Sequence, residues 1–141
     1  MRVEFYGLKC DLPSGWTDIT DDLPGGSPPS LARPLGAGTI QFSIAKYHGG
    51  EEPNVKIGDL RKLIEDFCLR TDMDCNGIVD CSGDLLSVKA TSEVENELIL
   101  VRYFSNGRDI LLATYVCPDL NNLELSEDLN GVEQILDSLE L

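Results

Sequence analysis

The chain has 141 residues, 42% of them hydrophobic, which is enough for one domain with its own core and too hydrophobic for disorder throughout. Twenty-five Asp and Glu against eleven Lys and Arg leave a net charge of −14, a field that repels nucleic acid and anionic lipid, since both are bound through Lys and Arg. The excess sits in residues 51–100 (net −7) and 101–141 (net −6), whereas residues 1–50 carry only −1.

Met1-Arg2-Val3-Glu4-Phe5-Tyr6 does not read as a signal peptide, because its apolar run is short and Glu4 interrupts it. Val3, Phe5, Leu8, Cys10 and Leu12 alternate with a slip near Gly7, which predicts a strand pair or one bulged strand. Leu12-Pro13-Ser14-Gly15-Trp16 is a turn, and Asp21–Pro34, rich in Pro, Gly and Ser, predicts a surface loop too polar to pack. Gly38–Tyr47 alternates cleanly, with Ile40, Phe42 and Ile44 on one face of a half-buried strand. Leu60, Leu63, Ile64, Phe67 and Cys68 fall at helical spacing and predict an amphipathic helix over Leu60–Arg70.

Four strands are expected next, at Ile78–Cys81, Leu85–Thr91, Leu98–Phe104 and Ile110–Val116. Ser105-Asn106-Gly107-Arg108 should join the last two through a tight turn, because Asn-Gly accepts positive φ at both central positions. The acidic stretch Glu93–Glu97 reads as another hairpin tip. Ser126 is placed to cap a closing helix that reaches Leu139, with Glu127 and Asp128 suited to its positive first turn. Leu129, Val132, Ile135, Leu136 and Leu139 make its apolar stripe, and Glu127, Asp128, Glu133, Asp137 and Glu140 its expected exposed face. No stretch approaches the roughly 18 apolar residues of a membrane span. The order predicts a single α+β domain over 1–141, with a central antiparallel β-sheet flanked by helices.

This layout resembles the Mog1/PsbP-like family, including its DcrB-type proteins. The likeness is carried by Leu12-Pro13-Ser14-Gly15-Trp16 after an N-terminal strand, the strand Thr39–Tyr47 and the helix from Leu60 to about Arg70. The meander from Ile78 to Val116 and the closing helix complete it. It spans nearly the whole chain, and its one motif is the Leu-Pro-x-Gly-Trp turn, under which Trp16 is expected to plug the core. The resemblance implies an antiparallel sheet flanked by helices and a role in binding other proteins rather than one chemistry. In bacteria such domains serve as secretion-effector chaperones.

Five cysteines, Cys10, Cys68, Cys75, Cys81 and Cys117, form an odd count without a Cys-x-x-Cys pair, which points to reduced thiols in a cytoplasm. With His48 the only histidine, they make no zinc set. Cys68 and Cys117 lie in apolar patterns and read as buried small hydrophobes. Asp72-Met73-Asp74-Cys75-Asn76-Gly77-Ile78-Val79-Asp80 opens like a calcium loop, with Asp72, Asp74, Asn76 and Asp80 at ligand positions. The twelfth position requires a bidentate Glu and is Gly83, so no specific calcium site is expected, and no other cofactor. No Gly-x-Ser-x-Gly or activated-Cys motif accompanies His48, and Gly25-Gly26 and Gly36-x-Gly38 lack the Lys of a phosphate loop, so the chain does not read as an enzyme.

What remains is acid: Glu93, Glu95 and Glu97 in the hairpin tip, and Glu127, Asp128, Glu133 and Asp137 on the closing helix. These fit a docking surface for another protein with a basic face, because complementary charge speeds and orients association. The resulting expectation is a cytoplasmic, bacterial immunity-type protein that neutralises a toxin by binding it, without nucleic acid or membrane insertion. The alternative is a secretion-effector chaperone of the same fold, which would require an exposed apolar groove.

Overall fold

The computed structural model describes residues 1–51, 53–74 and 76–141. Among them the strands are β1 (Arg2–Phe5), β2 (Leu8–Asp11), β3 (Thr17–Asp18), β4 (Ser30–Ala32), β5 (Thr39–Ala45), β6 (Asn76–Cys81), β7 (Leu86–Val94), β8 (Glu97–Ser105) and β9 (Ile110–Cys117). The helices are α1 (Ile57–Arg70), between β5 and β6, and α2 (Leu125–Asp137), after β9, with one 3₁₀ turn at Thr20–Asp22. β1 and β2 form a hairpin of their own, and the other seven strands make one antiparallel sheet in the order β3-β4-β5-β9-β8-β7-β6. The expected α+β architecture with a central antiparallel sheet is therefore present. No helix among the described residues is long and apolar enough to cross a membrane.

The two faces of the sheet are covered unequally, and β9 records the difference residue by residue. Leu111, Ala113, Tyr115 and Cys117 are buried, while the alternating Ile110, Leu112, Thr114 and Val116 are only half-buried. The first set faces α2 and the β1–β2 hairpin, in a core that includes Phe5, Leu8, Phe42, Phe104, Val132 and Ile135. On the opposite face α1 lays Leu60 and Ile64 against Val88, Ala90, Val101 and Tyr103. Helix α1 packs on β6, β7 and β8, so the β5–β9 half of that face is left partly open.

Local chemistry sets the ends of the elements. Helix α1 starts three residues before its apolar periodicity, where the Asp59 carboxylate accepts the Lys56 N–H at 2.8 Å. Helix α2 starts at Leu125 with Glu124 at its N-cap, not at Ser126, and Asn122 Oδ1 accepts the Glu124 N–H at 2.8 Å. Trp16 is buried and lies against Gly131 of α2, where an added Cβ would collide with the indole. It plugs the core as its turn suggested.

Several sequence expectations are corrected. Asp21–Pro34 is not all surface loop: Ser30, Leu31 and Ala32 form β4, fully buried and paired with β3 and β5. The Asn106-Gly107 hairpin exists, but residues 106–109 connect its strands, and only Gly107 of the pair has positive φ (95°). Asn106 acts instead as an acceptor, its Oδ1 taking the N–H groups of Arg108 and Asp109 at 3.0 and 2.9 Å. The two-residue turn with both φ positive occurs at Glu95-Asn96 (50° and 71°) and again at Tyr6-Gly7 (51° and 84°). Cys68 is buried as expected but disulfide-bonded rather than reduced, whereas Cys10, Cys81 and Cys117 are free. Cys75 lies outside the described residues.

Candidate functional site

The acidic residues of the β7–β8 tip stand on a braced turn. Glu93 and Glu95 are exposed and Glu97 is half-buried, and none of the three forms an ion pair with a described residue. Asn96 donates from Nδ2 to Asp119 Oδ1 at 2.8 Å, and its backbone carbonyl accepts the Leu120 N–H at 2.9 Å. Asp119 Oδ1 also accepts the Asn121 N–H at 2.9 Å. The Asn121 N–H first, and then the Asn96 amide, hold the Asp119 carboxyl below the ordinary aspartate value, because both donors favour its charged form. On the other side, a recess of about 180 Å³ is lined by Asp72 and Met73 after α1 and by Val94, Glu97 and Ile99. One end of the molecule thus gathers Glu93, Glu95, Glu97, Asp72 and Asp119.

Asp128 does the opposite of what its place among the acidic residues of α2 suggested. It is fully buried. Its carboxylate accepts the Ala37 N–H at 2.8 Å, the Gly38 N–H at 3.0 Å and the Tyr115 hydroxyl at 2.8 Å, and it pairs with Arg33 at 2.6 Å. Burial first, and then this hydrogen bond to a carboxylate, push the Tyr115 phenol far above its usual range. Asp128 is a structural anchor and is withdrawn from the docking set.

The other helix candidates are dispersed. Glu127 is exposed and lies 3.5 Å from Arg33, which also touches Glu124 at 3.3 Å. Asp137, at the far end of α2, pairs at 2.8 Å with Arg102. Arg102 is itself buried, bonded through Nε to Ser87 at 2.7 Å and stacked 4.7 Å from the Phe104 ring centroid. Glu133 is exposed and unpaired among the described residues. The tip glutamates and the acids at the far end of α2 therefore do not form one site.

The residues of the calcium-like loop also separate. Asp72, at φ 52°, and Asp74 are exposed, while Asp80 sits on β6 and pairs with Arg61 at 2.7 Å. Asn76 opens β6, and its side chain, like Cys75, is outside the described set. His48 is exposed in the irregular stretch after β5. Among the described residues no three His, Cys, Asp or Glu are placed to hold a metal ion.

Two recesses escaped the sequence reading. A cleft of about 590 Å³ lies between the end of α2, β1–β2 and the β6–β7 connection. Its two cations, Arg2 and Arg102, are already matched by Asp11, Asp137 and Glu140, and Arg2 also donates to the Ser138 carbonyl at 2.8 Å. Both arginines thereby serve the carbonyl end of α2. The second recess is a largely apolar trough of about 370 Å³ on the open half of the sheet, walled by Phe67 and Met73 and floored by β5, β9 and Ile99. Its signal in the sequence is the alternation Ile110, Leu112, Thr114, Val116, which reads as a second face of β9 but does not say what covers it.

No family model and no curated protein matches the sequence. The fold defines an α+β class with a large antiparallel sheet and two helices. Within it, the chain is similar to a protein from Bacteroides thetaiotaomicron VPI-5482, known from a crystal structure at 1.50 Å resolution, with 15% identity and a TM-score of 0.60. The match covers 94% of this chain and 44% of that one, so this chain spans less than half the length of its relative. The likeness is one of fold alone.

Proposed function

We propose that the chain is a protein-binding domain that docks a basic partner on its acidic end, and that it works as an immunity-type inhibitor of a toxin rather than as an enzyme. The observation that carries this reading is the set Glu93, Glu95 and Glu97, free of ion pairs among the described residues and presented on a turn braced by Asn96, Asp119 and Leu120. A braced turn spares its backbone the cost of ordering on binding, and the carboxylates it presents direct the approach of a cationic cleft. The test is co-expression with the product of the neighbouring gene, followed by scoring of cell survival and complex formation. Protection by the native chain should be lost in E93K/E95K/E97K, and the complex should weaken as salt is raised. Protection and binding unchanged by that reversal would refute the acidic docking surface.

A second reading, an effector-loading chaperone, is favoured by the trough, because chaperones of this kind hold an apolar segment. In that case the neighbouring product would be stabilised against degradation without being inhibited, and the complex would withstand salt.

A further inference from the structure

Resting on the docking reading above, we propose that the trough on the partly open half of the sheet seats one apolar side chain of the same partner, from a segment whose flanking residues are Lys or Arg. Three observations meet here. The trough and the recess at the acidic tip share Thr71, Met73 and Ile99, so the apolar floor runs directly into the acidic rim. The floor is only partly covered from within the chain: Leu112, Thr114 and Val116 are half-buried while every alternate residue of β9 is buried. The rim carries Asp72 and Glu97, with the exposed Glu95 at the turn beyond them, while Glu93, paired opposite Leu98, projects from the other face of the sheet.

An apolar depression beside carboxylates without ion pairs among the described residues has the anatomy of an interface hot spot, in which a buried anchor is surrounded by a polar rim. The sign of the rim selects the occupant. In a chain of net charge −14, an acidic segment would be repelled, and an uncharged one would forgo the rim. Met73 supplies an adaptable wall, because its unbranched thioether reshapes at little cost. The volume suits one or two large side chains, which fits an anchor within a wider contact and not the whole face of a helix.

The experiment is fluorescence anisotropy with three labelled peptides: lysines flanking a central leucine, the same peptide with serine for leucine, and the same peptide with glutamates for lysines. The leucine–lysine peptide should bind about tenfold more tightly than the serine–lysine peptide, the ratio expected for burying one aliphatic side chain. The glutamate peptide should not bind. Thr114→Trp, which fills the trough from an open strand position, should erase the leucine advantage and leave the serine peptide unchanged. Leu112→Ser, which removes part of the floor, should reduce that advantage and provides the check if Thr114→Trp does not fold. Equal binding of leucine and serine peptides, or an advantage that survives both variants, overturns the proposal. So does a dimer that Thr114→Trp disperses in size-exclusion chromatography, which would give the trough to a second copy of the chain. Charge reversal at residues 93, 95 and 97 separates the two claims. If it leaves lysine-peptide affinity intact while the leucine advantage persists, the acidic reading fails and the trough stands.

Discussion

Asp128 and the glutamates of the β7–β8 tip carry the same charge and are put to opposite uses. Asp128 is fully buried and receives two backbone N–H groups, a phenol and a guanidinium. Glu93 and Glu95 are exposed and receive nothing from the described residues. A carboxylate taken out of water must have its lone pairs satisfied within the protein, and one left in water need not. The number of acidic residues therefore says little about role, and the donors around each one say a great deal. Of the seven acidic positions first considered for docking, the most tightly held is the least available to a partner.

The largest effect that this contrast predicts belongs to Asp128→Ala. The change strands the Ala37 and Gly38 N–H groups and the Tyr115 hydroxyl and leaves Arg33 only its contacts with Glu124 and Glu127, and should cost about 3–5 kcal/mol in urea denaturation. Next comes Gly38→Ala, expected to cost about 1–3 kcal/mol by the same measurement. A Cβ there would collide with the Val116 backbone carbonyl and the Tyr115 ring, forcing Gly38 away from the carboxylate it feeds. The tip should behave differently. E93K/E95K/E97K should change stability by no more than about 0.5 kcal/mol, with an unaltered far-ultraviolet spectrum. A loss comparable to that of Asp128→Ala would erase the distinction between anchor and docking surface.

The smallest effect concerns Asp119. Its folded-state carboxyl lies below the ordinary value, so the stability it lends the tip is fully present above that value and is lost as pH falls through the folded one. Titration into strong acid, followed through the Asn96 side-chain amide resonances, should show the brace releasing there with little change in the sheet.

The α+β layout was legible because it depends on period. Leu60, Leu63, Ile64, Phe67 and Cys68 repeat as a helix and Ile40, Phe42 and Ile44 as a strand, whatever they pack against. β4 was not legible: three residues in a Pro- and Gly-rich stretch carry no period, and their burial is conferred by β3 and β5. Asp128 was half legible. It lies three residues after Leu125 and four before Val132, on the apolar stripe itself, and a charge at such a position signals a buried partner. What could not be read was that partner, Arg33, which lies far away in sequence. The trough was hidden for a related reason. Strand alternation marks two faces, but where α1 lands decides which half of one of them stays open.

Most strands of the sheet pair with a close neighbour in sequence, and the exception is β5 against β9, where Thr39 meets Val116. The Asp128 network lies at the Thr39–Val116 end of that seam, with Arg33, Ala37 and Gly38 on one bank and Tyr115 on the other. The molecule is in this sense an intramolecular heterodimer. A piece ending in β5 is zipped along one strand to a piece running from α1 to α2, and the buried carboxylate fastens the end of the zip. Strand pairs joined by short turns close at small entropic cost, whereas a pairing across so long a stretch of chain carries a larger one. Loop-closure entropy therefore weighs more on the joining of the two pieces than on the making of either.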